Sequence, residues 1–152
     1  MDDDLVEAKN GKPPAGGSLS FRPRILLAED EPDHQRLISL MLRKAGADVT
    51  IVANGQSAVD LGLRAQEKGN PFDLILMDIR MPVMDGYLAT QHLRAAGYKL
   101  PIVALTAHVM MGDREKFIAA GGDDYISKPL AVGELVKLVK RWAKQAHRIN
   151  PS

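Results

Sequence analysis

The sequence predicts an α/β fold, a doubly wound parallel sheet in which five strands alternate with five helices. Three observations predict it. First, Ile25-Leu26-Leu27-Ala28, Asp73-Leu74-Ile75-Leu76-Met77-Asp78 and Pro101-Ile102-Val103-Ala104-Leu105-Thr106 are short apolar runs without polar alternation. Such runs suit strands covered on both faces, as in a parallel sheet. Second, the stretches between them carry apolar residues at helical spacing, bounded by capping residues, proline and glycine. Third, strands that alternate with helices must join by right-handed crossovers, which makes the sheet parallel and places helices on both sides.

The elements follow in order. The first strand ends at Ala28, and Pro32 is a favoured first-turn residue for a helix in which Leu37, Leu40, Met41 and Ala45 share a face before Gly46 stops it. Val49-Thr50-Ile51-Val52 is a weaker strand. Asn54 caps a second helix through Ala58, Leu61 and Ala65. After the strand ending at Asp78, a third helix follows Asp85-Gly86 through Leu88 and Leu93. After the strand ending at Thr106, a fourth spans Gly112 to Ala120 and ends at Gly121-Gly122. Asp124-Tyr125-Ile126 is the fifth strand, and the last helix runs from Ala131 to His147 with Val132, Leu135, Val136, Val139 and Trp142 on one face.

Residues 1–22 read as a flexible tail or linker, since Lys12-Pro13-Pro14-Ala15-Gly16-Gly17-Ser18 suits neither helix nor paired strand. Residues 23–147 form one domain, and 148–152 a C-terminal tail. A length of 152 residues fits that organisation, and no internal repeat or second domain is visible. A net charge of +1 gives no global pointer to nucleic acid or an anionic membrane, so neither is an expected partner. No cysteine is present, which excludes disulfides, Fe–S clusters, thiolate zinc sites and cysteine nucleophiles. No apolar run approaches the ~20 residues of a membrane span. The acidic start Met1-Asp2-Asp3-Asp4 is unlike a signal peptide. The expected location is cytoplasmic.

In such a sheet, functional groups gather where strands end at their carboxyl edge. Here those ends carry Glu29-Asp30, Asp78, Thr106 and Lys128-Pro129. Three acids brought together raise one another's pKa or recruit a cation. Oxygen ligands without histidine or cysteine favour Mg2+, Mn2+ or Ca2+ over zinc. Asp78, alone at the end of the strand expected to be central, is the best candidate for a carboxylate nucleophile that becomes an aspartyl phosphate. Lys128 and the Thr106 hydroxyl would hold phosphoryl oxygens, and positioning and charge would carry the catalysis.

Ala28-Glu29-Asp30-Glu31-Pro32, Leu76-Met77-Asp78-Ile79-Arg80-Met81-Pro82-Val83-Met84-Asp85-Gly86, Ala104-Leu105-Thr106-Ala107 and Asp123-Asp124-Tyr125-Ile126-Ser127-Lys128-Pro129 resemble, in order and spacing, the motifs of two-component receiver domains. The resemblance covers residues 23–147. It implies the flavodoxin-like (βα)5 fold with strand order 2-1-3-4-5. It makes Asp78 the phosphoacceptor, Glu29 and Asp30 the metal-site acids, and the Arg80 main-chain carbonyl a further ligand for Mg2+ or Mn2+. It also implies a phosphohistidine donor on a histidine kinase or histidine phosphotransfer protein, and a cis Lys128-Pro129 bond at Pro129.

Thr106 and Tyr125 match the family's switch positions. These remodel the face of helix 4, strand 5 and helix 5, where an output partner or a second protomer binds, giving a monomer or a phosphorylation-dependent dimer. Small Ala107 leaves the phosphoryl group accessible, and Arg80 and His108 match positions that tune phosphate lifetime. Glu29 stands where many relatives have Asp, so a water-mediated metal contact is as open as a direct one. Ala107-His108-Val109-Met110 and Gly121-Gly122-Asp123-Asp124-Tyr125 are more similar to receivers of hybrid sensor histidine kinases than to DNA-binding regulators. The implied activities are self-phosphorylation and autodephosphorylation, within or beside a kinase chain. With nothing after Ser152, output is expected through partners or an upstream domain. A haloacid-dehalogenase-type phosphohydrolase would need an acid where Arg80 stands.

The remaining residues read as structural. Glu31 belongs to the start of the first helix, and Asp73, Asp85, Asp123 and Asp124 to turns and helix ends. His34, His92, His108 and His147 are scattered singly and suit surface or packing roles. Met110 and Met111 suit packing. Lys137, Lys140, Arg141, Lys144 and Arg148 suit a solvated helix face.

Overall fold

The computed structural model describes residues 21–107, 110–128 and 131–149, of which 144–149 are described by backbone alone. Five strands and five helices alternate: β1 Arg24–Ala28, α1 Pro32–Lys44, β2 Asp48–Val52, α2 Gly55–Glu67, β3 Leu74–Met77, α3 Gly86–Ala95, β4 Ile102–Thr106, α4 Asp113–Ala119, β5 Asp124–Ser127 and α5 Val132–Ile149. All neighbouring strands are parallel, in the order β2-β1-β3-β4-β5. The predicted flavodoxin-like architecture is therefore the observed one.

Alternate residues of each strand face opposite layers. Leu26, Ala28, Ile75, Met77, Ile102 and Ala104 pack with α2, α3 and α4 through Ala58, Ala89, Leu93 and Phe117. Ile25, Leu27, Leu74, Leu76, Val103 and Leu105 pack with α1 and α5 through Ile38, Leu42, Leu135, Val139 and Ala143. Phe21, counted above with the tail, packs against this second layer. At the other end, α5 continues two residues beyond His147 to Ile149.

Helix starts follow the local chemistry. Glu31 caps α1 by accepting from the Asp33 N–H, with Pro32 in the first turn. Asn54 accepts from Ser57 N–H at α2, and Asp85 from Leu88 N–H at α3. The face of α1 differs from the expected one. Ile38, Leu42 and Ala45 are buried, whereas Leu37 and Leu40 are 55% and 53% exposed. The apolar arc from Leu37 to Leu42 is wider than one contact face, and the sheet takes only its inner stripe. On α5, Leu135, Val136 and Val139 are buried as expected, but Val132 is 49% exposed.

Arg94 ties α3 to the segments that lead into β4 and β5. It donates to the carbonyls of Gly121, Tyr98 and Leu100 and to Asp123 Oδ2 at 2.7–2.9 Å. Asp123 Oδ2 also accepts from the Ile102 N–H at 2.8 Å, so one guanidinium secures the start of β4 and the turn before β5. Arg94→Ala strands several acceptors at once, and should lower unfolding stability by about 2–4 kcal/mol. A matching fall in the urea midpoint without a change in slope would check it.

Candidate functional site

The sheet register builds the site. Ala28 lies opposite Met77 on the paired strands β1 and β3. The ladder then continues past the strand ends: Glu29 N–H donates to Val52 O at 3.0 Å, Asp78 N–H to Ala28 O at 2.9 Å, and Lys128 N–H to Thr106 O at 2.8 Å. Glu29, Asp78, Thr106 and Lys128 thus leave neighbouring strands at the same edge.

Carboxylate oxygens of Glu29, Asp30 and Asp78 lie within 4.8 Å of one another. Glu29 and Asp78 are buried, at 1% and 8% exposure, while Asp30 is exposed. The Lys128 ammonium is ion-paired to Glu29 and lies 3.5 Å from Asp78 Oδ2. Glu29 Oε2 accepts from the Glu31 N–H at 3.1 Å, and Asp78 Oδ1 receives the Arg80 N–H at 3.4 Å. Burial lifts the Glu29 carboxyl above its ordinary range and the Asp78 charge adds to the lift, while Lys128 and the Glu31 N–H oppose it. An all-oxygen set holding this much negative charge fits a hard divalent cation. Thr106, at the end of the neighbouring strand, is fully buried, and Ala107 after it is exposed.

One histidine expected in a surface or packing role also touches this cluster. His34 Nδ1 is 2.9 Å from Lys128 Nζ and 3.7 Å from Glu29 Oε2. The available signal was its place in the first turn of α1, because helical side chains lean toward the N-terminus and hence back over the end of β1. Met110 and Met111 also depart from the packing expectation, being 60% and 103% exposed at the rim. There the Arg80 guanidinium reaches Met110 Sδ at 3.4 Å. His108 and Pro129 lie outside the described residues.

The loop after Asp78 is tight. Met84 N–H donates to Pro82 O at 2.7 Å across Val83, a γ-turn that puts Val83 at φ 71°. Gly86 then starts α3 against the backbone of Asp78, where a Cβ would come 2.5 Å from Asp78 O. Tyr125 is buried, and its hydroxyl donates to Asp113 Oδ2 at 3.2 Å, joining β5 to the first turn of α4.

The family model of the response regulator receiver domain matches residues 25–140. The chain belongs to that family. It is 37% identical over 151 residues, 95% of its length, to the sensor histidine kinase GacS of Pseudomonas protegens, of which it spans 16%. It is 43% identical over 121 residues to the two-component response regulator ORR41 of Oryza sativa, covering 78% of this chain and 93% of that protein. Among solved structures it resembles the receiver domain of the sensor histidine kinase PA1611 from Pseudomonas aeruginosa, whose crystal structure has a magnesium ion in the active-site cleft. The TM-score is 0.72 at 44% identity, over 82% of this chain and 99% of that one. The chain spans only 7–16% of the first kinase relatives it matches. It is a receiver domain of two-component signalling, homologous to those of hybrid histidine kinases.

The acid cluster and the loop after it both bear on this receiver's stability. In the metal-free protein, folded Glu29 holds its proton more tightly than the unfolded chain does. Stability therefore falls as pH rises from the ordinary glutamate value of 4.5 through the raised one. Asp78→Asn removes one repelling charge and should add on the order of 1 kcal/mol at neutral pH while flattening that fall. Melting curves across pH without divalent ions check both. Val83→Gly should also stabilise, by about 1 kcal/mol, because a β-branched residue at positive φ is strained and Val83 is 80% exposed; its denaturant midpoint should rise.

Proposed function

We propose that this receiver accepts a phosphoryl group on Asp78 from a phosphohistidine of a histidine kinase or histidine phosphotransfer protein, and reports its state by a change of conformation. The observation that carries this reading is the convergence of Glu29, Asp30 and Asp78 within 4.8 Å, with Lys128 3.5 Å from Asp78. A carboxylate oxygen of Asp78 forms the bond to phosphorus, the P–N bond breaks, and the donor imidazole leaves. Water later attacks the same phosphorus, releasing inorganic phosphate and restoring the carboxylate. Lys128 and the Thr106 hydroxyl hold two of the phosphoryl oxygens.

Glu29, Asp30, Asp78 and the Arg80 main-chain carbonyl are the groups that would hold Mg2+ or Mn2+, which supplies positive charge against the incoming phosphoryl group. The magnesium ion in the PA1611 receiver supports this choice. Glu29 ligates directly or through water. Arg80 and His108, at the family positions that tune phosphate lifetime, and small Ala107, which leaves the phosphoryl group accessible, would set how long the phosphate lasts.

The donor has an apolar place to dock. Leu37 and Leu40 are exposed on α1, and a cleft of about 120 Å3 lined by His34, Leu37, Ile38, Met41, Leu105, Lys128 and Leu135 opens next to Lys128. The readout runs through Thr106 and Tyr125. Movement of Thr106 toward the phosphoryl group would change the room available to Tyr125, whose hydroxyl is tied to Asp113 on α4. The α4–β5–α5 face would change with it, for an output partner or a second protomer. A full switch from 1:99 to 99:1 needs ~5.5 kcal/mol of differential stabilisation. The relatives that are hybrid kinases support a place within, or beside, such a kinase.

Incubation with Mg2+ and acetyl phosphate, or with a phosphorylated donor, should give one acid-stable, base-labile adduct that Asp78→Asn abolishes. Absence of labelling, or equal labelling of the variant, would contradict the assignment. Rapid turnover of general phosphomonoesters would indicate a phosphohydrolase instead.

A further inference from the structure

His34 is placed to control the lysine rather than the metal. The Lys128 ammonium has three donors and no acceptor. Across the 2.9 Å contact, His34 Nδ1 must therefore be the unprotonated acceptor, leaving the ring proton on Nε2. Lys128 is 8% exposed and Glu29 1%, whereas the imidazole is 41% exposed, so the ring stands between the ammonium and solvent. Its own position is fixed. Gln35, the next residue, donates through Nε2 to the Glu29 carbonyl at 2.6 Å, which ties the first turn of α1 to the end of β1.

Among the described residues, three neighbours surround the ammonium: Glu29 Oε1, His34 Nδ1 and, more distant, Asp78 Oδ2 at 3.5 Å. Two of the three are carboxylates of the acid cluster, which a cation and a phosphoryl group would claim. His34 is the uncharged one, and it belongs to the helix rather than to the acids. A lysine ammonium sits on a flexible four-carbon stem, so a partner that stays in place as charges rearrange has a specific use.

We propose that His34 is a positioning residue: its neutral imidazole anchors the Lys128 ammonium so that an N–H stays directed at the phosphoryl oxygen arriving on Asp78. This rests on the phosphoacceptor reading above. A partner that orients a site group is worth ~10–100-fold in the function it supports. His34→Ala should therefore slow phosphorylation about tenfold, while Mg2+ affinity measured by calorimetry and the melting temperature stay close to wild type. His34→Asn, whose amide oxygen takes nearly the place of Nδ1, should recover most of the rate.

The experiment compares the full chain and both variants with acetyl phosphate as donor across a Mg2+ series. It is paired with NMR of the 15N-labelled lysine ammonium groups in protein without donor. The Lys128 ammonium should exchange slowly with water in the wild type and in His34→Asn, and fast in His34→Ala. Equal rates in wild type and His34→Ala would overturn the proposal. So would equal losses in Ala and Asn variants, which indicate packing alone, or a loss of Mg2+ affinity in His34→Ala, which places His34 at the metal. A wild type that never labels overturns the phosphoacceptor reading itself and this role with it, whereas a failure confined to the His34 comparison leaves that reading standing.

Discussion

The parallel register of β1 against β3, with Ala28 opposite Met77, governs both the fold and the chemistry of this receiver. It follows from apolar strands buried on both faces, where a slip of one residue would turn each core side chain into the wrong layer. Because the register is fixed by packing, the residues just beyond it are fixed as well. Glu29 and Asp78 therefore face each other with no further device, and the hydrogen bond from Asp78 N–H to Ala28 O at 2.9 Å extends the ladder into the site. The core holds the acids together against their own repulsion.

That repulsion explains the groups gathered around them. Two buried carboxylates and an exposed third cannot share so small a volume without compensation. Lys128 supplies part of it from β5, two strands away from β3, and the Glu31 and Arg80 N–H groups supply more from the adjoining loops. The remaining imbalance makes the place suited to a hard cation and, in turn, to an anionic group that the cation and Lys128 can share. His34 completes the arrangement from α1 with a contact that carries no charge.

The backbone around the site is held tightly in its own right. Gly86 is where α3 meets the carbonyl of Asp78, and Gly55 lets α2 approach Met84 O, to which its own N–H donates at 3.0 Å. A side chain at either place would push the loop after Asp78 outward. The opposite edge of the sheet, where the chain enters β4 and β5, is secured by Arg94, far from the chemistry. The rim is different: Val83, Met110 and Met111 are exposed, while Tyr125 meets α4 through its hydroxyl on Asp113 and its ring against Phe117.

Much of this was legible in the amino-acid sequence. Apolar runs marked β1, β3 and β4, Asn54 and Asp85 marked helix starts, and the residues ending each run named Glu29, Asp30, Asp78, Thr106 and Lys128. These are local properties: burial on both faces writes itself as an unbroken apolar run, and a cap needs only its own next residues. The active face of α1 was not legible, because Leu37, Leu40, Met41 and Leu42 offer more apolar arc than one sheet can cover. The exposure of Met110, Met111 and Val132 was hidden for the same reason, since hydrophobicity alone does not say whether a neighbour is present. His34 was hidden for a different one. Its meaning comes from Lys128, 94 residues away, and only tertiary packing decides which distant side chain a helix's first turn will meet.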